Sequence, residues 1–195
     1  METRLTKDDL LGALGGWNRF LRRKIHLIAC GGTAMTFLGV KPSTRDVDFM
    51  VPEEGEYDYL IRLLRSLGYE SVSGPGWARR DERYQFDLFR GNRIHTTELL
   101  ESPLVEGRHQ FFHEFSRIYI GILNYYDLIS SKLMRGTPVD FDDCAMLYSS
   151  RSSDIDLPRL HDHFLELISY DISEDRLRPN IGIFMERIKE GNVDG

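Results

Sequence analysis

Three aspartates at strand-like spacing and one glycine pair carry the chemistry legible in this chain. Asp46 and Asp48 open the run Asp46-Val47-Asp48-Phe49-Met50-Val51. Residues two apart in a strand share a face, so both carboxylates are expected to point the same way from adjacent rungs. Two anions held that close repel unless a cation sits between them. Asp87 lies in Tyr84-Gln85-Phe86-Asp87-Leu88-Phe89, where residues 84, 86 and 88 take one face and Asp87 the other. Upstream, the apolar run 25–30 ends at Gly31-Gly32-Thr33 and a helical pattern follows. Strand, glycine turn, helix is an order that presents free backbone N–H groups to an anion. The residues read as a divalent-metal site, for Mg²⁺ or Mn²⁺, facing a phosphate-binding turn.

Transfer of a phosphoryl or nucleotidyl group needs positioning and charge neutralisation more than covalent help from the protein. Carboxylates are the hard oxygen ligands Mg²⁺ prefers, and two metals about 3.5–4 Å apart can clamp both the attacking and the leaving oxygen. Asp46 and Asp48 can supply the metal-bridging pair, while Asp87 can bind a second metal or take the proton from an acceptor hydroxyl. Gly31 and Gly32 would let phosphates approach the backbone, with Thr33 adding a hydroxyl donor. A cation is still needed on a triphosphate, and Lys132 is the candidate; near a helix C-terminus a lysine also serves the last carbonyls and the helix dipole.

The elements that must position these groups follow from periodicity and punctuation. Thr6 caps a helix whose apolar stripe runs Leu10, Leu11, Leu14, Trp17, Phe20 and Leu21. Strands are expected at 25–30, 46–51, 77–80, 84–89 and 118–123. Helices are expected at 33–38, 57–67, 125–134, 139–149, 157–169 and 180–189. The result is an α/β (α+β) chain: a short mixed sheet flanked by helices over residues 1–123, then a helical domain over 124–195. At 195 residues, with 41% hydrophobic and 29% charged content, the chain can bury a core without staples. A net charge of −6 argues against broad nonspecific binding to nucleic-acid backbone, leaving room for a local basic cleft. Cys30 and Cys144 lack metal-ligand spacing and are expected to be buried thiols of a reducing compartment. Arg4, Lys7, Asp8 and Asp9 are at odds with a signal-peptide core, and no apolar run is long enough to cross a bilayer. A cytoplasmic location without membrane partners is therefore expected.

With these motifs in place, the chain resembles a nucleotidyltransferase of the DNA polymerase β-like superfamily, and within it the minimal group that includes the abortive-infection, type IV toxin-like enzymes. The resemblance rests on Gly31-Gly32 opening a helix, Asp46-Val47-Asp48, and Asp87 on a neighbouring strand. It extends to Asn124 through Leu133, a capped helix carrying Lys132, and to the acidic start of the next helix, Asp140-Phe141-Asp142-Asp143. It implies the nucleotidyltransferase fold with a C-terminal helical domain, a nucleoside triphosphate donor and Mg²⁺. It also implies a nucleotide contact from Lys132, with Asp140 or Asp143 orienting the nucleotide or its neighbours, and a cognate antitoxin as candidate partner. The acceptor is left open among RNA, protein and a small molecule.

Other readings compete. Asp140, Asp142 and Asp143 begin a helix after Pro138, where acids are favoured on structural grounds alone. Arg79, Arg80, Arg83, Arg90 and Arg93 could guide a polynucleotide or a triphosphate, or simply solvate a hairpin; Arg45 could steady the acid pair or touch a phosphate. His161 and His163 diverge by about 200° on a helix and are not expected to share a metal. At the level of function the alternatives are a non-catalytic module of the same fold, acting as a nucleotide sensor or toxin–antitoxin component, and a metal-dependent phosphohydrolase.

Overall fold

The computed structural model describes residues 4–191; the ends of the two expected domains, 1–3 and 192–195, lie outside the described residues. The chain divides into two compact units, Met1–His95 with Glu101–Asn124, and Thr96–Leu100 with Tyr125–Gly195. The expected α/β architecture is present: a mixed sheet with helices in the first unit, and helices in the C-terminal part of the second. Among the described residues no helix is long and apolar enough to cross a membrane.

In the first unit, α1 (Lys7–Asn18) starts at a capping box in which the Thr6 hydroxyl and the Asp9 carboxylate satisfy each other's backbone N–H groups. A seven-stranded sheet follows, built from β1 (Ile25–Ala29), β2 (Val47–Val51), β3 (Glu70–Ser71), β4 (Gly76–Ala78), β5 (Gln85–Arg90), β8 (His109–Glu114) and β9 (Ile118–Leu123). Two further strands are two residues each, β6 (Arg93–Ile94) in this unit and β7 (Thr97–Glu98) in the other. The spatial order of the large sheet is β3-β4-β5-β2-β1-β9-β8. β2 and β5 run parallel, as do β1 and β9, while β1 and β2 are antiparallel.

Side-chain alternation gives this sheet two chemically different faces. Phe49 and Phe86 point towards the helices: Trp17 of α1 lies 4.1 Å from the Phe86 ring and Phe37 of α2 (Gly31–Phe37) 6.1 Å from Phe49, centroid to centroid. Truncating a fully buried aromatic such as Phe86 costs about 3–5 kcal/mol, so this face anchors the unit. α3 (Glu54–Ser66) buries Leu60, Ile61 and Leu64. The opposite face carries Asp48 and Met50 on β2 and Asp87 and Phe89 on β5, by the two-residue period of the strands.

In the second unit, α4 (Tyr125–Arg135), α5 (Pro138–Arg151), α6 (Leu157–Ile168), α7 (Glu174–Leu177) and α8 (Pro179–Gly191) pack around Leu128, Leu147, Phe164, Leu167 and Phe184. The turn from α4 to α5 needs Gly136, whose φ is +63° and whose absent side chain leaves room for the Asn180 amide. That amide donates to the Leu133 carbonyl. Thr137 and Asp140 form a second capping box ahead of α5, with Pro138 in its first turn.

Candidate active site

The acid row is assembled at neighbouring strands of the first unit. Asp48 and Asp87 are partners across the parallel β2–β5 ladder, so their side chains leave the same face side by side. Asp48 is 7% exposed and Asp87 half-buried. Burial, then the charge of Asp46, pushes the Asp87 carboxyl above the usual carboxylate range, while a hydrogen bond from Gln85 works the other way. Asp46 was expected inside the strand, but β2 begins at Val47 and Asp46 stands exposed just ahead of it. The reason is visible in its carbonyl, which takes hydroxyl bonds from Thr33 at 3.2 Å and Thr44 at 2.9 Å in place of a ladder partner.

The glycine turn is built against this row. Gly31 has φ +52°, and a Cβ there would lie 2.4 Å from Asp48 Oδ2, so only glycine fits on both conformational and steric grounds. The Gly32 N–H donates to the same Asp48 oxygen at 3.0 Å. A Cβ on Gly32 would meet Thr44 Oγ1 at 2.4 Å. One of the free N–H groups at the start of α2 is thus spent on Asp48, which ties the turn directly to an acid. Thr33, expected to offer its hydroxyl to phosphate, is fully buried: it donates to Asp46 O and accepts from Asp48 N at 2.9 Å. Its position is that of a latch between α2 and β2.

Three carboxylates, with no sulfur or imidazole among them, are a donor set that suits a hard divalent cation. Burial first and the nearby Asp46 charge second both disfavour the ionised form of Asp87, and a bound cation would oppose both effects. The row is open: among the described residues no group of three or more His, Cys, Asp or Glu side chains converges as a ready-made metal cage.

Lys132 and Asp143 belong to the second unit and are brought together there. Lys132 Nζ donates to Asp143 Oδ2 at 2.7 Å and lies 3.8 Å from Asp140 Oδ1, with all three side chains at most 5% exposed. Arg135 pairs with Asp140 as well. Asp140 thereby serves a capping box and an ion-pair cluster together. His161 and His163 do diverge: His163 pairs with Asp127 at 2.7 Å, and His161 with Asp162. Cys30 and Cys144 are buried free thiols, and burial pushes the Cys144 thiol far up.

Sequence reasoning overlooked two residues that hold the row. Gln85 donates from Nε2 to Asp87 Oδ1 at 3.0 Å, and it sits two residues before Asp87, so strand parity alone places it on the same face. Thr44 bonds the Asp46 carbonyl, and an isolated antiparallel bridge to Leu5 holds its own backbone. Nothing local in the sequence announces that bridge.

No family model matches the chain, and no curated protein sequence matches it. Among solved structures it is similar to the antibiotic-resistance factor ANT(2'')-Ia, at 15% identity and a TM-score of 0.49, over 95% of this chain and 94% of that one. An antigenic nucleotidyltransferase-like protein from Paracoccidioides brasiliensis matches at 14% identity and a TM-score of 0.49, over 91% of this chain and 95% of that one. A protein from Thermotoga maritima, provisionally designated a nucleotidyltransferase, matches at 17% identity and a TM-score of 0.45, over 68% of this chain and 88% of that one.

Proposed function

We propose that the chain is a nucleotidyltransferase that moves a nucleoside monophosphate from an NTP to a hydroxyl acceptor. The observation that carries this reading is the pairing of Asp48 with Asp87 on one rung, beside a glycine turn whose Gly32 N–H reaches Asp48. Asp46 and Asp48 would hold a divalent cation such as Mg²⁺, which when bound neutralises phosphate charge. Asp87 either completes the donor set or takes the acceptor's proton. Its place opposite Asp48 in the β2–β5 ladder serves either role. Gly31 and Gly32 give the β- and γ-phosphates access to backbone, and Lys132 is the candidate counter-charge. The acceptor oxygen bonds to the α-phosphorus, the α–β bridging P–O bond breaks, and pyrophosphate leaves with the electron pair. The toxin-like subgroup and a cognate antitoxin stay part of this proposal through the motif resemblance, and a cytoplasmic location through the charged residues Arg4, Lys7, Asp8 and Asp9.

Calorimetric titration with each NTP, with and without Mg²⁺, tests the donor site. Metal-dependent binding lost in Asp46→Ala/Asp48→Ala supports it. One observation favours a second reading, a non-catalytic module of the same fold: the charge of Lys132 is already answered by Asp143 inside its own unit. NTP binding without turnover in the presence of candidate acceptors would select that reading.

A further inference from the structure

Asp46 is the acid of the row that no strand holds. It stands exposed ahead of β2, at the end of the loop that leaves α2, whereas Asp48 and Asp87 are fixed by ladder partners. A cation demands more than a carboxylate nearby: Mg²⁺ takes near-octahedral oxygens at about 2.0–2.1 Å, and a ligand that wanders loses affinity. What steadies the Asp46 backbone is Thr44, whose hydroxyl donates to the Asp46 carbonyl at 2.9 Å. The Thr33 hydroxyl reaches the same carbonyl from α2, at 3.2 Å.

Thr44 is itself held from outside its loop. Its N–H donates to the Leu5 carbonyl at 2.9 Å, and its carbonyl accepts from the Leu5 N–H at 2.7 Å. Leu5 and Thr44 are both buried, so the two bonds are shielded from water. The far side of this bridge is rigid. Thr6 follows Leu5 and caps α1 in a capping box with Asp9. The helix is then fastened to the sheet by Trp17, which packs 4.1 Å from Phe86 and donates to the Tyr69 hydroxyl at 3.2 Å. Phe86 directly precedes Asp87 in β5. The strand that carries Asp87 is therefore linked through α1, Leu5 and Thr44 to the loop that carries Asp46, along one path inside the first unit.

We propose that Leu5 and Thr44 are positioning residues for Asp46. The strap of residues 4–6 fixes Thr44 through its backbone, and Thr44 fixes the Asp46 carbonyl through its hydroxyl, so that the Asp46 side chain meets a cation in step with Asp48. Neither Leu5 nor Thr44 touches the cation. The proposal rests on the reading of Asp46 as a cation ligand, while the fixing of its backbone stands on the bonds themselves. Outer partners of this kind govern metal affinity by about 10–100-fold.

The test uses the full chain and two pairs of variants. Thr44→Val removes the hydroxyl donor and Thr44→Ser returns it. Leu5→Pro removes the N–H bonded to Thr44, and Leu5→Ala removes the same buried side chain while keeping both backbone bonds. Mn²⁺ affinity is measured with a non-hydrolysable ATP analogue present. Hydrogen exchange is measured without metal at the Asp48 amide, which is bonded to the Thr33 hydroxyl that also reaches Asp46. Thr44→Val and Leu5→Pro are expected to weaken Mn²⁺ binding about tenfold and to speed Asp48 exchange. Thr44→Ser and Leu5→Ala are expected to stay within about twofold of the parent in affinity, although Leu5→Ala lowers Tm. A purely structural role would instead make affinity follow Tm across all four variants. Affinity that follows Tm, or that is unchanged in Thr44→Val and Leu5→Pro, overturns the proposal. If the parent chain binds no Mn²⁺, the reading of Asp46 as a cation ligand falls and exchange alone decides the strap. Faster Asp48 exchange in Thr44→Val and Leu5→Pro, but not in Thr44→Ser and Leu5→Ala, sustains it, and equal exchange overturns it.

Discussion

Asp48 and Asp87 are cross-strand partners in the parallel β2–β5 ladder, two half-buried or buried acids on one face with no side chain between them in register. Like charges directly opposite in a sheet are destabilising. The fold accepts that cost at one place while Phe49 and Phe86, on the other face of the same strands, pack against α1 and α2. The acid rung is therefore a site at which stability and binding oppose each other.

That opposition has a pH signature. Asp87 titrates above its unfolded value near 3.9, so the folded state holds its proton more tightly than the unfolded chain. Its contribution is fully present below the unfolded pKa and is lost as pH rises through the folded one. Asp87→Asn should therefore raise Tm at pH 7 by a few degrees, on the order of 1 kcal/mol or less for a partly exposed group. The gain should vanish near pH 3. Thermal melts at the two pH values, with Mg²⁺ absent, check this; an equal gain at both would mean that packing, not charge, is responsible.

The glycine turn should be intolerant of a single methyl. Gly31→Ala forces a left-handed φ on alanine and drives its Cβ into Asp48 Oδ2, a combination expected to cost about 1–3 kcal/mol. Gly32→Ala pushes on the Thr44 hydroxyl and its bond to Asp46 O but requires no left-handed φ, and should cost less. Chemical denaturation of the two variants measures the difference, and a reversal of their order would contradict the geometry.

How much of this was open to inspection of the sequence depended on how local each signal was. Gly31-Gly32, Asp48 and Asp87 were legible because turn chemistry and strand parity are local. Strand β8 was not: His109 to Glu114 lacks clean alternation, and the register slips between Phe111 and His113. The excursion of Thr96–Leu100 into the second unit was equally hidden, because a short segment between turns has no periodicity of its own. The Thr33 hydroxyl could be read as a phosphate donor or a latch until the approach of β2 to α2 was known.

Thr33 supplies a prediction that separates those two roles. Thr33→Val removes the bond to Asp46 O and leaves the buried Asp48 N–H without its acceptor, a loss of about 1–3 kcal/mol. Thr33→Ser keeps the hydroxyl and should stay within ~1 kcal/mol of the parent. NTP affinity should follow stability across the pair, as expected of a positioning residue. A Val variant that folds normally yet loses the nucleotide would make Thr33 a direct phosphate ligand.

The buried Lys132–Asp143 pair allows stability and nucleotide contact to be pulled apart. Lys132→Met alone leaves Asp143 buried without its lysine and should cost about 3–5 kcal/mol. Lys132→Met/Asp143→Leu removes both charges and should recover most of that, because well-packed apolar replacements of a buried ion pair are often neutral. If Lys132 also reaches the triphosphate, the double variant will melt like the parent but bind NTP at least tenfold more weakly. If the pair is purely structural, the double variant will bind NTP as the parent does, and the counter-charge for the donor must come from another residue.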